Sequence, residues 1–326
     1  MITRRKIVLA LGAVALAPLA TGAQQQGKVW RIGFLGTISA ADSDWRIEEV
    51  RAGLRELGYV EGKNIVIEYR WADNQHERLP ELAAELVRLK VDVIVTHATV
   101  GSLAAKQATS TIPIVIAAIA DPVATGVVTR LARSGGNITG STYFSSELMA
   151  KRLELLKDTF PRARQIAVLL RRDNPANGPA VQALGNAANL LKVELQQFEV
   201  RGPDELERAF TSMVKNRISA VVVFEDATLF ANVKEIAELA AKRRLPSAGF
   251  KEFAEAGGLL GYGANIPEMY HGTAYFVDRI LKGAKPDDLP IEQATRFEMV
   301  VNMKTAKALG IKIPNSILVR ATKIIE

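Results

Sequence analysis

The sequence predicts an α/β chain built as two Rossmann-like lobes, each a parallel sheet covered by helices, joined by a hinge. Three observations carry this. At 326 residues the chain is longer than one typical domain. Hydrophobic residues at 48% and charged residues at 24% give a globular balance that can fill two cores. Short β-branched runs alternate with amphipathic helical stretches, and this rhythm runs through the chain twice.

The N-terminus must be set apart first. Arg4, Arg5 and Lys6 form a basic segment, Ile7 to Leu19 is almost wholly apolar, and Thr21-Gly22-Ala23 supplies small residues before Gln24. That order is the pattern of a cleaved secretory signal over residues 1–23. The apolar run is shorter than the roughly 20 residues that span a bilayer. The chain has no cysteine, so a lipid anchor on a cleavage-site cysteine, disulfides and thiol catalysis are all excluded. The expected location is the periplasm, free rather than tethered. Removing residues 1–23 takes away three basic and no acidic residues, which lowers the net charge from +7 to +4. No Lys/Arg cluster interleaved with aromatics remains, which argues against nucleic acid as a partner.

The elements follow in order. Lys28 to Leu35 reads as the first strand, and a helix from about Ser43 carries Ile47, Val50, Leu54 and Leu57 at helical spacing before Gly58. Asn64 to Trp71 is a strand, Leu79, Leu82, Leu86 and Leu89 mark the next helix, and Val91 to Val95 is a strand. A short helix from about Gly101 leads to the strand Ile112 to Ile116. The near-continuous apolar character of these strands fits burial on both faces. The rhythm restarts with a helix carrying Met149, Leu153, Leu156 and Phe160 and a strand from Gln165 to Leu170. Strands near 193–200, 218–224 and 245–250 alternate with helices near 178–191, 203–216 and 231–243. A later helix shows Tyr270, Ala274, Val277 and Leu281 on one face, and the tail holds a strand near 296–302 and the apolar Ile317-Leu318-Val319.

These elements imply a first lobe of 28–140 with about 265–294, and a second lobe of 141–264 with about 295–326. The segments Asn137–Tyr143 and Gly261–Ile266, both containing glycine and asparagine, read as hinges.

Several chemistries have no signature. There is no P-loop, and Gly33-Phe34-Leu35-Gly36-Thr37 lacks the third glycine of a dinucleotide fingerprint. No Gly-x-Ser-x-Gly elbow occurs. The histidines His76, His97 and His271 lie far apart, which gives no metal-ligand spacing, and His76 reads as a solvated residue at a helix start. Neither a cofactor nor a catalytic residue is expected.

In open parallel sheets ligands bind beyond the carboxyl ends of the strands, and two facing sheets make a cleft there. The polar residues just after each strand are therefore the candidate binding groups. In the first lobe these are Thr37, Ser39, Thr96, His97, Thr99 and Asp121. Thr96 to Gly101 opens a helix whose free N–H groups suit an anion, while Asp121 serves either as a helix cap or as an acceptor for an ammonium group. In the second lobe they are Asn174, Asn177 and Asp226, with helix capping as the alternative role for Asn177 and Asp226. Tyr143 and Tyr262 sit in the two hinge segments, where a ring either stacks on a flat ligand or packs the hinge.

Three stretches resemble a known family: "LRELGYVEGKNIVIEYRWADNQHERLPELAAELVRLKVDVIV" at 54–95, "IPIVIAAIADPVATGVVTRLARSGGNITG" at 112–140, and "FEMVVNMKTAKALGIKIPNSILVRATKIIE" at 297–326. They are similar to the substrate-binding proteins of ABC transporters of the tryptophan/tyrosine-binding type, and the likeness spans nearly the whole chain after the signal. The resemblance implies a type I periplasmic-binding-protein fold with three crossings between the lobes. It implies a monomeric receptor that takes a small molecule, an amino acid or aromatic compound, to a membrane permease and its ATPase. The arginines in Arg171-Arg172-Asp173-Asn174 favour a more acidic ligand than tryptophan. The rival readings are a periplasmic sensory module of the same fold and a periplasmic enzyme.

Overall fold

The computed structural model describes residues 28–326, so the expected signal segment 1–23 lies outside the described residues. The chain opens with β1 (Trp30–Gly36), α1 (Asp44–Glu56), β2 (Ile65–Trp71), α2 (Leu79–Arg88), β3 (Val93–Thr96), α3 (Ala98–Ala108), β4 (Ile114–Ile119) and β5 (Ile138–Thr142). It continues with α4 (Ser145–Thr159), β6 (Gln165–Arg171), α5 (Asn177–Leu191), β7 (Glu194–Val200), α6 (Leu206–Lys215), β8 (Ala220–Val223), α7 (Ala227–Ala231), α8 (Val233–Lys242), β9 (Ser247–Gly249), α9 (Lys251–Glu255) and β10 (Leu260–Ala264). The last elements are α10 (Ile266–Leu281), β11 (Glu292–Gln293), β12 (Phe297–Asn302), α11 (Met303–Leu309), α12 (Asn315–Leu318) and β13 (Lys323–Ile325).

These strands form two sheets, in the orders β11-β5-β4-β3-β1-β2 and β13-β12-β10-β9-β8-β6-β7. Every paired strand is parallel except β12 against β10. The two-lobed α/β architecture read from the sequence is therefore the observed one. Alternate residues of the first sheet bury on opposite faces. Ile32, Phe34, Val93 and Val95 pack with Ile47, Val50 and Leu54 of α1, whereas Leu35, Ile94 and Ile114 pack with Leu79, Leu82 and Leu86 of α2. Leu57, expected to extend the buried stripe of α1, is exposed, because the chain turns out of the helix at Gly58 with φ +85°.

The chain passes between the sheets three times. It leaves the first sheet after β5 and enters α4. After β10 it returns as α10, which packs on α1 and β4, and β11 then pairs with β5 before β12 rejoins the second sheet. Both segments expected to be hinges are largely strand. Residues 138–142 form β5 and 260–264 form β10, and the chain departs from regular structure at Asn137, at Tyr143–Phe144 and at Asn265. Their glycines serve close backbone approach rather than a turn. A Cβ on Gly140 would collide with the Ile116 backbone, and one on Gly261 would crowd the backbone of Phe250 and Lys251. Among the described residues no helix is long and apolar enough to cross a membrane.

The α1–α10 crossing depends on a small residue, since a Cβ on Gly53 would strike the His271 carbonyl oxygen and Ala274. Gly53→Val should cost about 1–3 kcal/mol by overpacking, read as a lower denaturation midpoint. Gly185→Ala in α5, where a Cβ meets nothing within 4 Å, should leave stability unchanged or raise it. Equal midpoints for Gly53→Val and the unaltered protein would contradict this packing.

Candidate functional site

A cavity of about 40 Å³ lies between the two sheets, beyond their carboxyl edges. Its wall takes His97 after β3, Ala118 from β4, Tyr143 after β5, Glu225 and Asp226 after β8, Ile266 after β10, Arg46 of α1, Phe230 of α7 and Tyr270 of α10. Both lobes therefore contribute side chains.

On the first-lobe side, His97 is 2% exposed and precedes α3 in extended backbone, while Ala98 takes a left-handed φ of +58°. The His97 Nε2 accepts the Thr37 N–H at 3.3 Å, which leaves the neutral ring its proton on Nδ1. Burial, with Arg46 and His76 nearby, pushes the His97 pKa down to about 3. Tyr143 is buried, and its hydroxyl donates to the Glu225 carbonyl at 3.3 Å. Burial raises its pKa well above the usual tyrosine value, with Glu225 and Asp226 adding to the shift. Burial raises Tyr270 to about 12, an effect eased by Arg46.

On the second-lobe side, Asp226 caps α7: its Oδ1 accepts the N–H groups of Thr228 (2.7 Å) and Leu229 (3.3 Å). Asn174 donates to Asp226 Oδ2 at 2.8 Å and accepts the Ala176 N–H, which holds the carboxylate in place. Burial raises the Asp226 pKa, opposed by Arg171 and by those donors. Glu225 follows β8, with Oε2 2.6 Å from Arg152 Nη2, an ion pair in which both side chains are buried. Arg152 Nε also donates to the Tyr262 carbonyl at 2.6 Å, tying α4 to β10.

Of the eleven residues expected at the strand ends, His97, Tyr143 and Asp226 line this cavity. Thr37 and Thr96 stand behind it: Thr37 positions His97, and Thr96 Oγ1 donates to the Leu35 carbonyl. Thr99 is buried at the start of α3 with no partner for its hydroxyl. Ser39 bonds Asp42 within its own turn, and Asp121 accepts the N–H groups of Val123 and Ala124 in a turn, since no helix follows β4 directly. Asn177 donates to the Arg171 carbonyl. The Tyr262 ring lies against Phe297, with centroids 6.1 Å apart, rather than in the cavity. His76, expected to be solvated, is largely enclosed, and its Nε2 is buried without a partner.

Arg46, Glu225, Phe230 and Tyr270 also line the cavity and are not among the residues expected from the sequence. Arg46 had a usable signal: with Val50 and Gly53 it falls at positions i, i+4 and i+7 of α1, on the buried face, where a charged residue is out of place. Across the gap the Trp45 and Phe230 rings approach to 5.5 Å, and Asn74 accepts from Thr228 Oγ1 (2.8 Å) through its side chain and from Arg171 Nη2 (3.3 Å) through its carbonyl. These contacts join the two lobes. Among the described residues no cluster of three His, Cys, Asp or Glu could hold a metal ion.

The sequence profile of a family described as ABC transporter substrate binding protein matches residues 32–325. A "Tyrosine-binding protein" of Clostridioides difficile is 27% identical over 260 residues, 79% of this chain and 74% of that protein. A conserved domain protein from Vibrio cholerae superposes with a TM-score of 0.84 at 26% identity, covering 91% of this chain and 100% of its own. A Streptococcus pneumoniae ABC domain in complex with L-Trp gives 0.81 at 26% identity, covering 90% of this chain and 100% of its own. A ligand-free, open substrate-binding protein with adhesive properties from Clostridium difficile gives only 0.65, although its identity is also 26% and the coverage is 91% and 99%.

His76 is held down to about 4, chiefly by burial and then by Arg171, so both it and His97 keep the neutral ring in the folded chain. An unfolded chain binds these protons first as pH falls below about 6.5. Stability should then fall by up to about 1.4 kcal/mol per pH unit for each histidine, down to about pH 4 for His76 and about pH 3 for His97. Urea unfolding between pH 7.5 and 5 should show a flatter pH slope for His97→Gln than for the unaltered chain. Parallel slopes would contradict the burial argument.

Proposed function

Because the chain belongs to the family of ABC transporter substrate-binding proteins, we propose that it is the solute receptor of an importer, binding an amino acid or aromatic compound between its lobes. The observation that carries this reading is a cavity walled by side chains from both lobes at the carboxyl edges of two parallel sheets. The tyrosine- and tryptophan-binding relatives support the ligand class.

A cavity of about 40 Å³ is far below the several hundred Å³ of small-molecule pockets, so the lobes must part to admit a solute. The better superposition on the tryptophan complex than on the open, ligand-free relative supports a near-closed arrangement here, at equal identity. In this proposal the lobes are residues 28–140 with about 265–294, and 141–264 with about 295–326. Solute contacts His97, Tyr143 and Asp226, while Thr37 and Asn174 hold two of those groups in place. Thr96, Thr99, Ser39, Asp121 and Asn177 shape the strand ends around them, and Tyr262 braces β10. Closure requires contact with both lobes, since only a difference in affinity between open and closed states shifts that equilibrium. The closed form then docks on a membrane permease served by an ATPase. The protein acts as an exported periplasmic monomer, binding its solute without turnover.

A thermal-shift screen of the purified protein, refolded to strip any carried ligand, tests this. The panel holds aromatic and aliphatic amino acids, aromatic acids, nucleosides and small sugars. A solute at 100 times its dissociation constant adds about 2.7 kcal/mol, a rise of several degrees at roughly 2–4 °C per kcal/mol. A shift confined to amino acids or aromatic acids is the expected result, and no shift across the panel contradicts it.

A further inference from the structure

Two charged groups in the cavity wall are incompletely matched. Arg46 is 3% exposed, yet among the described residues it forms no ion pair. Its Nη1 donates to the Asp42 carbonyl at 2.8 Å. The guanidinium carbon lies 4.4 Å from the Trp45 ring centroid, 5.1 Å from Phe230 and 5.9 Å from Tyr270. Rings stabilise a buried cation only in part, and a planar fork of donors beside a cavity suits a carboxylate. On the facing lobe Glu225 is 5% exposed. Its Oε2 is taken by Arg152, but its Oε1 is buried and accepts no hydrogen bond. A buried carboxylate oxygen without a donor is costly unless a bound group supplies one.

We propose that Arg46 and Glu225 are two opposite poles that recognise the solute's head group. Arg46 of the first lobe takes a carboxylate, and Glu225 Oε1 of the second lobe accepts from a protonated amine. The solute is then an α-amino acid in zwitterionic form whose head group bridges the lobes beside Phe230 and Tyr270. An aromatic acid without an amine satisfies Arg46 alone, and an amine without a carboxylate satisfies Glu225 alone. Neither spans the cleft electrostatically: the acid leaves Glu225 Oε1 without a donor, and the amine leaves Arg46 without an anion. This inference rests on the reading of the cavity as the solute site and adds to it the requirement for both charges.

Titration calorimetry on the refolded protein tests it with L-tyrosine and L-tryptophan, their des-amino acids 3-(4-hydroxyphenyl)propanoate and indole-3-propanoate, their amines tyramine and tryptamine, and benzoate. One of the two amino acids should bind, with its acid and its amine each weaker by at least about 30-fold, the loss that follows when a buried charged partner is left alone. In Arg46→Gln the preference over the amine should collapse to within about 3-fold, and in Glu225→Gln the preference over the acid should do so. These ratios are taken between ligands within one variant, so a general loss of folded protein cannot mimic them. The first comparison needs no variant at all. An acid or amine that matches its amino acid on the unaltered protein overturns the proposal, as do ratios unchanged in both variants. Binding of benzoate alone overturns it while leaving the receptor reading intact. If no probe binds, the proposal falls, and the receptor reading is then judged by the wider thermal screen.

Discussion

Parallel strands all end on one edge of their sheet, and this constraint organises the molecule. Each sheet must deliver its connecting loops and helix starts to that single edge, and here the two edges face each other. His97, Tyr143, Glu225, Asp226 and Ile266 reach the same cavity from four different strand ends only for this reason. The antiparallel β12 and the return of α10 to the first sheet add the further passages of chain that keep the two edges opposed.

Charge placement at that edge follows from burial. Arg152 is buried at no cost in unpaired charge because Glu225 meets it, and the same pair anchors β8 to α4 and, through the Tyr262 carbonyl, to β10. Asp226 is committed to Thr228, Leu229 and Asn174. In the cavity wall Arg46 has no ion-pair partner among the described residues, and Glu225 Oε1 accepts no hydrogen bond. Under the proposed reading these are the groups that a bound solute completes. Asn74, bridging to Arg171 and Thr228, joins the two lobes without itself lining the cavity.

Much of the fold was legible in the sequence because apolar periodicity reports burial directly. The strands at Trp30, Ile65, Val93 and Ala220 and the helices at Asp44, Leu79 and Leu206 all appear near their expected places. The short strands β5 and β10 did not stand out, because Ile138-Thr139-Gly140-Ser141-Thr142 and Leu260-Gly261-Tyr262-Gly263-Ala264 carry the residues of turns, and their glycines answer to neighbouring backbones that no local pattern reveals. At the site, residues just after a strand could be found by position, as with His97 and Asp226. Arg46, Phe230 and Tyr270 enter from helices, and their approach is set by how α1, α7 and α10 cross the gap between the lobes. That is a tertiary quantity, and only the buried helical phases of Arg46 and Tyr270 left a trace in one dimension.

The central claim is that a solute closes the lobes by engaging both, and an interlobe distance tests it most directly. The chain has no cysteine, so spin labels at Gln75→Cys and Arg201→Cys, beyond the outer strands β2 and β7, would be the sole labels. With saturating L-tryptophan or L-tyrosine, pulsed electron paramagnetic resonance should give a shorter and narrower distance distribution than without it. Superimposable distributions, at a concentration where calorimetry shows the site filled, would contradict closure by a bridging ligand.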